Sequence, residues 1–229
     1  MKIEYSIATL SDLDDVATLM YDHFLTCDEF GETGAAYMKL DPTVPSVRGF
    51  WRGFCKTAIE SGTSYVARDA SNESLLVGAR LNNTVTPEVY KSRIEGFKTM
   101  VKEDPASQRQ IDLLNKFYQL MEGKDVEILD KHNSKKILSM AALCVHKDYR
   151  AKGIATKMNA LSLESAKLEW GCDVALVRSS STGSQKSFEN VGFETLFSVD
   201  YPDFVDDDGK PFIVPLNGTQ SYKQYYKLL

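Results

Sequence analysis

Leu138-Ser-Met-Ala-Ala-Leu-Cys-Val-His-Lys-Asp-Tyr-Arg150-Ala-Lys-Gly-Ile-Ala155, continued by Thr156-Lys-Met-Asn-Ala-Leu-Ser-Leu-Glu-Ser-Ala-Lys-Leu-Glu-Trp170, is the stretch that decides the fold. Its apolar opening reads as a buried strand, its polar middle as a turn, and its remainder as an amphipathic helix. Ile154, Met158, Leu161, Ala166 and Leu168 recur at roughly helical spacing as the inner face, with Lys157, Glu164, Lys167 and Glu169 turned to water. A helix that begins directly after such a turn presents unpaired amide N–H groups and the positive end of its dipole. A pyrophosphate is the ligand that suits that geometry.

Composition narrows what can surround this unit. The chain has 229 residues, 43% hydrophobic and 26% charged, the balance of a folded chain with enough apolar material for a sizeable core. No repeat, linker or low-complexity segment divides it, so one domain over residues 1–229 is expected. A net charge of -5 argues against the basic footprint that nucleic-acid binding needs and is compatible with a cationic substrate. No run reaches the roughly 18 apolar residues of a membrane span, and the N-terminus lacks the pattern of a secretory signal. A cytoplasmic protein without a membrane partner is the expectation. Cys27, Cys55, Cys144 and Cys172 form no C-x-x-C pair and read as small buried hydrophobes, so no metal site is expected. His146, at the end of the central strand, reads as a local hydrogen-bonding residue.

Outward from the central unit, Lys2 to Ala8 alternates as a half-buried strand through Ile3, Tyr5 and Ile7. Thr9 and Ser11 offer caps for a helix from Asp12 to Phe24, with Leu13, Val16, Leu19 and Met20 inward. Pro45 to Gly62 forms a second helix that points Phe50, Trp51, Phe54, Ala58 and Ile59 inward. Ser64–Arg68 and Leu75–Asn82 make a hairpin about the turn residues 69–74. Helices follow over Pro87–Glu103 and Ala106–Gly123, then a polar approach to the central strand. After the central helix come a strand at Val174–Val177, a serine-rich loop at 179–184, and a short helix from Ser184 to Asn190 closed by Gly192. A strand at 194–200, an acidic turn at 203–210 and a last strand at 219–227 complete the chain. A doubly wound nucleotide-binding domain would want G-x-G-x-x-G after the first strand, and Ala8-Thr-Leu-Ser-Asp12 has none.

Arg150-Ala-Lys-Gly-Ile-Ala155 resembles the R/Q-x-x-G-x-G/A acetyl-CoA loop of the GNAT N-acetyltransferase superfamily, with Ala at the last position. More narrowly, the Asp28-Glu29 loop, this turn, and Ser180-x-x-x-Ser184 leading to Gly192-Phe193 look like the insect-type arylalkylamine and dopamine N-acetyltransferases. Asp200-Tyr201 followed by Gly209-x-x-Phe212 is also similar. The resemblance implies an α/β (α+β) GNAT fold: a mixed, mostly antiparallel central sheet flanked by helices, with a helical insertion after the hairpin. It implies acetyl-CoA as cosubstrate. The backbone of Leu143, Cys144 and Val145 would then pair with the pantetheine arm as an added strand. The amides of Arg150, Ala151, Lys152, Gly153, Ile154, Ala155 and Thr156 would hold the pyrophosphate.

Direct acetyl transfer requires an amine that has lost its proton, and Glu29 matches the residue that accepts it in those enzymes. Ser180 and Ser184 match their serine pair, placed to bond substrate or to protonate the leaving thiolate. Many GNAT enzymes carry a tyrosine acid four residues before the glycine of Gly-Phe, and Phe188 stands there instead. A covalent acetyl-Cys144 would need activating neighbours that the sequence does not display. The resemblance implies a small primary amine as acceptor, an arylalkylamine above all, in a monomer or weak dimer. Polyamine, amino-acid or peptide acetylation, or a non-catalytic acyl-CoA-binding regulator, are the alternatives.

Overall fold

Half-buried alternation makes Ile3–Ile7 the edge strand β1, and the chain turns at Thr9, whose N–H donates to the Asp12 carboxylate at 2.8 Å. That cap starts a 3-10 turn, Leu10–Asp12, which feeds α1 (Leu13–His23). In the computed structural model the described residues are 1–25, 43, 45–92, 123–205, 208–211 and 218–229. Within them follow α2 (Pro45–Glu60), β2 (Tyr65–Asp69), β3 (Leu75–Val85), α3 (Lys124–Lys131) and β4 (Ile137–Val145). The C-terminal part holds α4 (Ile154–Leu168), β5 (Val174–Ser179), α5 (Thr182–Glu189), β6 (Glu194–Asp200) and β7 (Ser221–Leu228). Residues 87–92 are helical, and the helix expected over 106–123 lies outside the described residues apart from Gly123.

The strands form one mixed sheet in the order β1-β2-β3-β4-β5-β7-β6, in which only β4 and β5 run parallel. The expected GNAT architecture is therefore present. α1 and α2 cover one face through Val16, Met20, Trp51 and Cys55, packed on Leu81 and Cys144. α4 covers the other through Ile154 and Met158 against Ala67 and Val77. Phe188 of α5 extends that layer to Phe193 and Tyr225. Cys55, Cys144 and Cys172 are buried and unbridged, as expected for small hydrophobes, and burial pushes Cys55 up to about 12 and Cys172 up to about 11.

One irregularity organises the centre. The pairing of β3 with β4 shifts between Leu81 and Asn82, opposite the step from Met140 to Ala142. A bulge adds a residue to one strand, bends it and exchanges the faces of the residues beyond it. Leu138 and Met140 accordingly pack with Leu163 and Ala166 of α4, whereas Ala142 and Cys144 pack under α1 and α2. Beyond the bulge β4 also leaves β5. Their pairing spans only Ile137–Met140 against Val174–Val177, while β4 runs on to Val145 and β5 to Ser179 on β7.

Several expectations need correcting. Leu168 is 72% exposed and Leu161 only half-buried, so they do not form the inner face of α4. That face instead carries Asn159, Ser162 and Ser165, each buried and hydrogen-bonded, and apolar periodicity does not register small polar residues there. Phe50 is 49% exposed, lying edge-on to Trp51 at the rim of α2. The serine-rich loop is shorter than expected, because β5 continues to Ser179 and α5 starts at Thr182. α3 extends into the polar approach expected over 130–136, and apolar periodicity does not reveal it because its buried residues are few: Asp125, Ile128 and Leu129.

Candidate active site

The diverging ends of β4 and β5 form two arms of a split with an open strand edge on β4. Leu143 and Val145 lie on that arm, packed against the α4 layer, and among the described residues no strand pairs with their backbone on the β5 side. Such an edge offers unpaired N–H and C=O groups to an extended ligand. Cys144 points the other way: it is 3% exposed and its Sγ lies 3.6 Å from the Leu19 carbonyl of α1. Its thiol belongs to the core, which leaves the backbone as its contribution to the split.

The turn between β4 and α4 is anchored by its side chains and leaves its backbone toward the open space. Asp148 N–H donates to His146 Nδ1 at 3.3 Å, the local role expected of that histidine. Tyr149 donates to the Asp69 carboxylate at 3.1 Å, and Asn72 donates to the Tyr149 hydroxyl. Arg150 Nε donates to the Val145 carbonyl at 3.3 Å and a terminal nitrogen to the His23 carbonyl at 3.0 Å, tying β4 to α1. Lys152 turns back onto the Asp148 carbonyl. Ala151 and Gly153 adopt left-handed backbone, with φ of 58° and 79°. A Cβ on Gly153 would meet nothing within 4 Å, so the space over the turn is open. The helical ladder starts with Lys157 N–H on the Gly153 carbonyl at 2.9 Å, and the amides of Ile154, Ala155 and Thr156 precede it. Those donors at a helix start fit a phosphate group without a bound ion or metal.

Close seating of this helix on the sheet depends less on the half-buried Ala155 than on Gly78 of β3. A Cβ there would stand 2.9 Å from Met158 Cε and 3.2 Å from Ile154 Cγ2. An isolated glycine within a strand pattern is the signal that marks such an approach.

Ser180 and Ser184 sit beyond Val177, on the β5 arm. The Ser184 hydroxyl bonds the Ser179 hydroxyl, lies 3.0 Å from that of Ser181, and donates to the Ser181 carbonyl at 3.0 Å. The Ser180 carbonyl accepts from the buried Tyr201 hydroxyl at 2.9 Å. The structure thus brings the serines to the same split as Leu143 and Val145, within a hydroxyl cluster that also starts α5. Glu29 lies outside the described residues.

Phe188 is 1% exposed, packed edge-on to Phe193 and beside Tyr225. Sequence reasoning missed its neighbour. Arg80, on β3 opposite Leu143, is 1% exposed and places its guanidinium carbon 5.4 Å from the centre of the Phe188 ring. Its Nε donates to Asn82 Oδ1 at 3.2 Å, and Asn82 in turn donates to Ser162 of α4 at 2.9 Å. One terminal nitrogen of Arg80 is buried without a partner among the described residues. Burial pulls its pKa down to about 9, which still leaves it charged at neutrality. The available signal was a lone charge in the middle of an apolar strand.

Residues 117–193, from just before α3 through the turn, α4 and α5, match the model of the acetyltransferase (GNAT) family. That segment holds the turn, α4 and the serine arm of the split. Solved structures of the same fold extend the likeness to the whole chain. Arylalkylamine N-acetyltransferase 2 from Aedes aegypti superposes with a TM-score of 0.80 at 18% identity, over 100% of this chain and 99% of that one. The Drosophila melanogaster polyamine N-acetyltransferase, an enzyme that forms N-acetylagmatine, gives 0.74 at 14% identity over 100% of both. Arabidopsis thaliana NAA60 in complex with acetyl-CoA gives 0.55 at 13% identity, over 100% of this chain and 99% of that one. At such identities the structures share the fold with this chain. No curated protein sequence matches the chain. Among the described residues no helix is long and apolar enough to cross a membrane.

Proposed function

We propose that this protein transfers acetyl from acetyl-CoA directly to a small primary amine, with arylalkylamines as the favoured class. The observation that carries the reading is the open β4 edge, which runs from the bulge at Ala141 into a turn whose left-handed Gly153 leaves room above unpaired amides. An extended arm ending in a pyrophosphate matches both halves. In this assignment Leu143, Cys144 and Val145 hold the arm through their backbone, and the amides from Arg150 to Thr156 hold the phosphates. Glu29 takes the proton from the amine. Ser180 and Ser184, at the facing arm, orient the reacting ends. The acetyl carbon then exchanges its bond to sulfur for a bond to nitrogen, a step that positioning and desolvation accelerate. Cys144 takes no covalent part, because its thiol is packed against Leu19.

Polyamine acetylation is the second reading, supported by the comparable likeness to the agmatine-acetylating structure. An acetyl-CoA turnover screen separates the two, run with tyramine, dopamine, serotonin and tryptamine against agmatine and spermidine. A higher kcat/KM for the aromatic amines is expected. Preference for agmatine or spermidine would replace the first reading by the second. In the same screen Glu29→Gln should lower turnover by roughly 10²-fold or more near neutral pH, less at high pH, with CoA affinity unchanged. An unaltered rate would remove Glu29 from the reaction.

A further inference from the structure

We infer that Arg80 stabilises the thiolate of CoA as it leaves, in the place where a tyrosine acid is missing. The inference rests on the acetyl-transfer reading above. Arg80 belongs to β3 and is paired with Leu143, so β4 lies between it and β5. Phe188 belongs to α5 and packs on Phe193 and on Tyr225 of β7, on the far side of β4. A guanidinium carbon 5.4 Å from the Phe188 ring has therefore crossed beneath β4. Its Nε bond to Asn82, the partner of Met140, sets it beneath the last β4–β5 rung, Met140 with Val177, where the two strands begin to part.

A fully buried guanidinium is costly unless its charge and its N–H groups are matched. Here Nε is matched by Asn82, one terminal nitrogen is not matched among the described residues, and burial alone dominates the lowering of its pKa. The Phe188 ring supplies a weak cation–π contact and no acceptor. The Asn159 carboxamide oxygen of α4 is a second buried atom in the same layer without a partner among the described residues, while its nitrogen donates to Ser187 of α5 at 3.1 Å. A cation held by the fold and short of an anion is preorganised for negative charge that develops only during reaction.

The step balances without a proton from Arg80. The amine nitrogen forms its bond to the acetyl carbon, the carbon–sulfur bond breaks, and its electron pair stays on sulfur. The amine proton goes to the carboxylate base. Arg80 stays protonated throughout and donates a hydrogen bond to sulfur. A phenol at position 188 is then unnecessary, and Phe188 serves as the wall that holds the guanidinium in place.

The test is the ionisation of free CoA bound to the protein, followed by thiolate ultraviolet absorbance against pH. Wild type should bind CoA with its thiol pKa below that of CoA in solution. Arg80→Met, which keeps the apolar stem, should return it to the solution value, and Arg80→Lys should lie between. In turnover, Arg80→Met should lose roughly 10²-fold in kcat with little change in amine KM. A purely structural arginine would leave the thiol pKa unmoved. Wild-type binding with an unshifted thiol overturns the assignment of Arg80 alone, whereas no CoA binding at all overturns the acetyl-transfer reading with it. If Arg80→Met fails to fold, the wild-type titration still decides, since bound CoA whose thiol pKa equals the solution value contradicts the inference.

Discussion

Gly153 shows how one backbone angle sets a binding surface. Its φ of 79° lies in the left-handed region, and the open space over it is what a phosphate would occupy. Gly153→Val therefore has two consequences. Holding a branched residue at that angle costs on the order of 1–3 kcal/mol, and its methyl groups fill the space above the amides of Ile154 and Ala155. CoA affinity, measured by calorimetry, is predicted to fall by roughly tenfold or more. Normal affinity in a folded variant would place the phosphates elsewhere. The Arg150 side chain donates to the Val145 and His23 carbonyls. Those bonds hold the turn to β4 and α1.

At the scale of elements, the seating of α4 on β3 fixes where those amides point. Gly78 leaves room for Met158 and Ile154, and Asn82 ties β3 to Ser162. Gly78→Val should destabilise the protein by about 1–3 kcal/mol through overpacking. Because Ile154 opens the helix, the variant should also weaken CoA binding, visible as a smaller rise in melting temperature on adding CoA. A melting temperature equal to wild type would show that the helix is not held by this contact. The strand, turn and helix from Leu138 to Leu168 were legible from periodicity and from Gly153, as were the hairpin and the half-buried β1. What escaped was whatever periodicity does not encode. The bulge at Ala141 turns Ala142 and Cys144 to the opposite face, and Ser162, Ser165 and Asn159 fill a buried stripe with polar atoms. Arg80 escaped for a related reason: a charge in a strand gives no hint of the helix and ring it meets across the sheet.

For the molecule as a whole, Asp69 links the start of the sheet to the turn between β4 and α4. Its carboxylate accepts from the Ser71 hydroxyl and amide, from the Lys2 amide and from Tyr149. Those bonds, the Ser71 hydroxyl foremost, hold its pKa down to about 2 against an ordinary value of 3.8. A depressed acid binds its proton more readily in the unfolded chain, so the stability it contributes is complete above about pH 4 and is lost as pH falls toward 2. Asp69→Asn should flatten that part of the stability curve in denaturant melts; an unchanged acid slope would mean that Asp69 is not linked to folding. The β4 edge, the Gly153 turn and the serine arm meet at the split itself. The most direct test of acetyl transfer there is mass balance. Purified protein incubated with acetyl-CoA and tyramine is predicted to yield N-acetyltyramine and free CoA in equal amounts, detected by mass spectrometry, with Gly153→Val strongly impaired. CoA bound at the turn with no acetylated product from any amine tested would contradict the account.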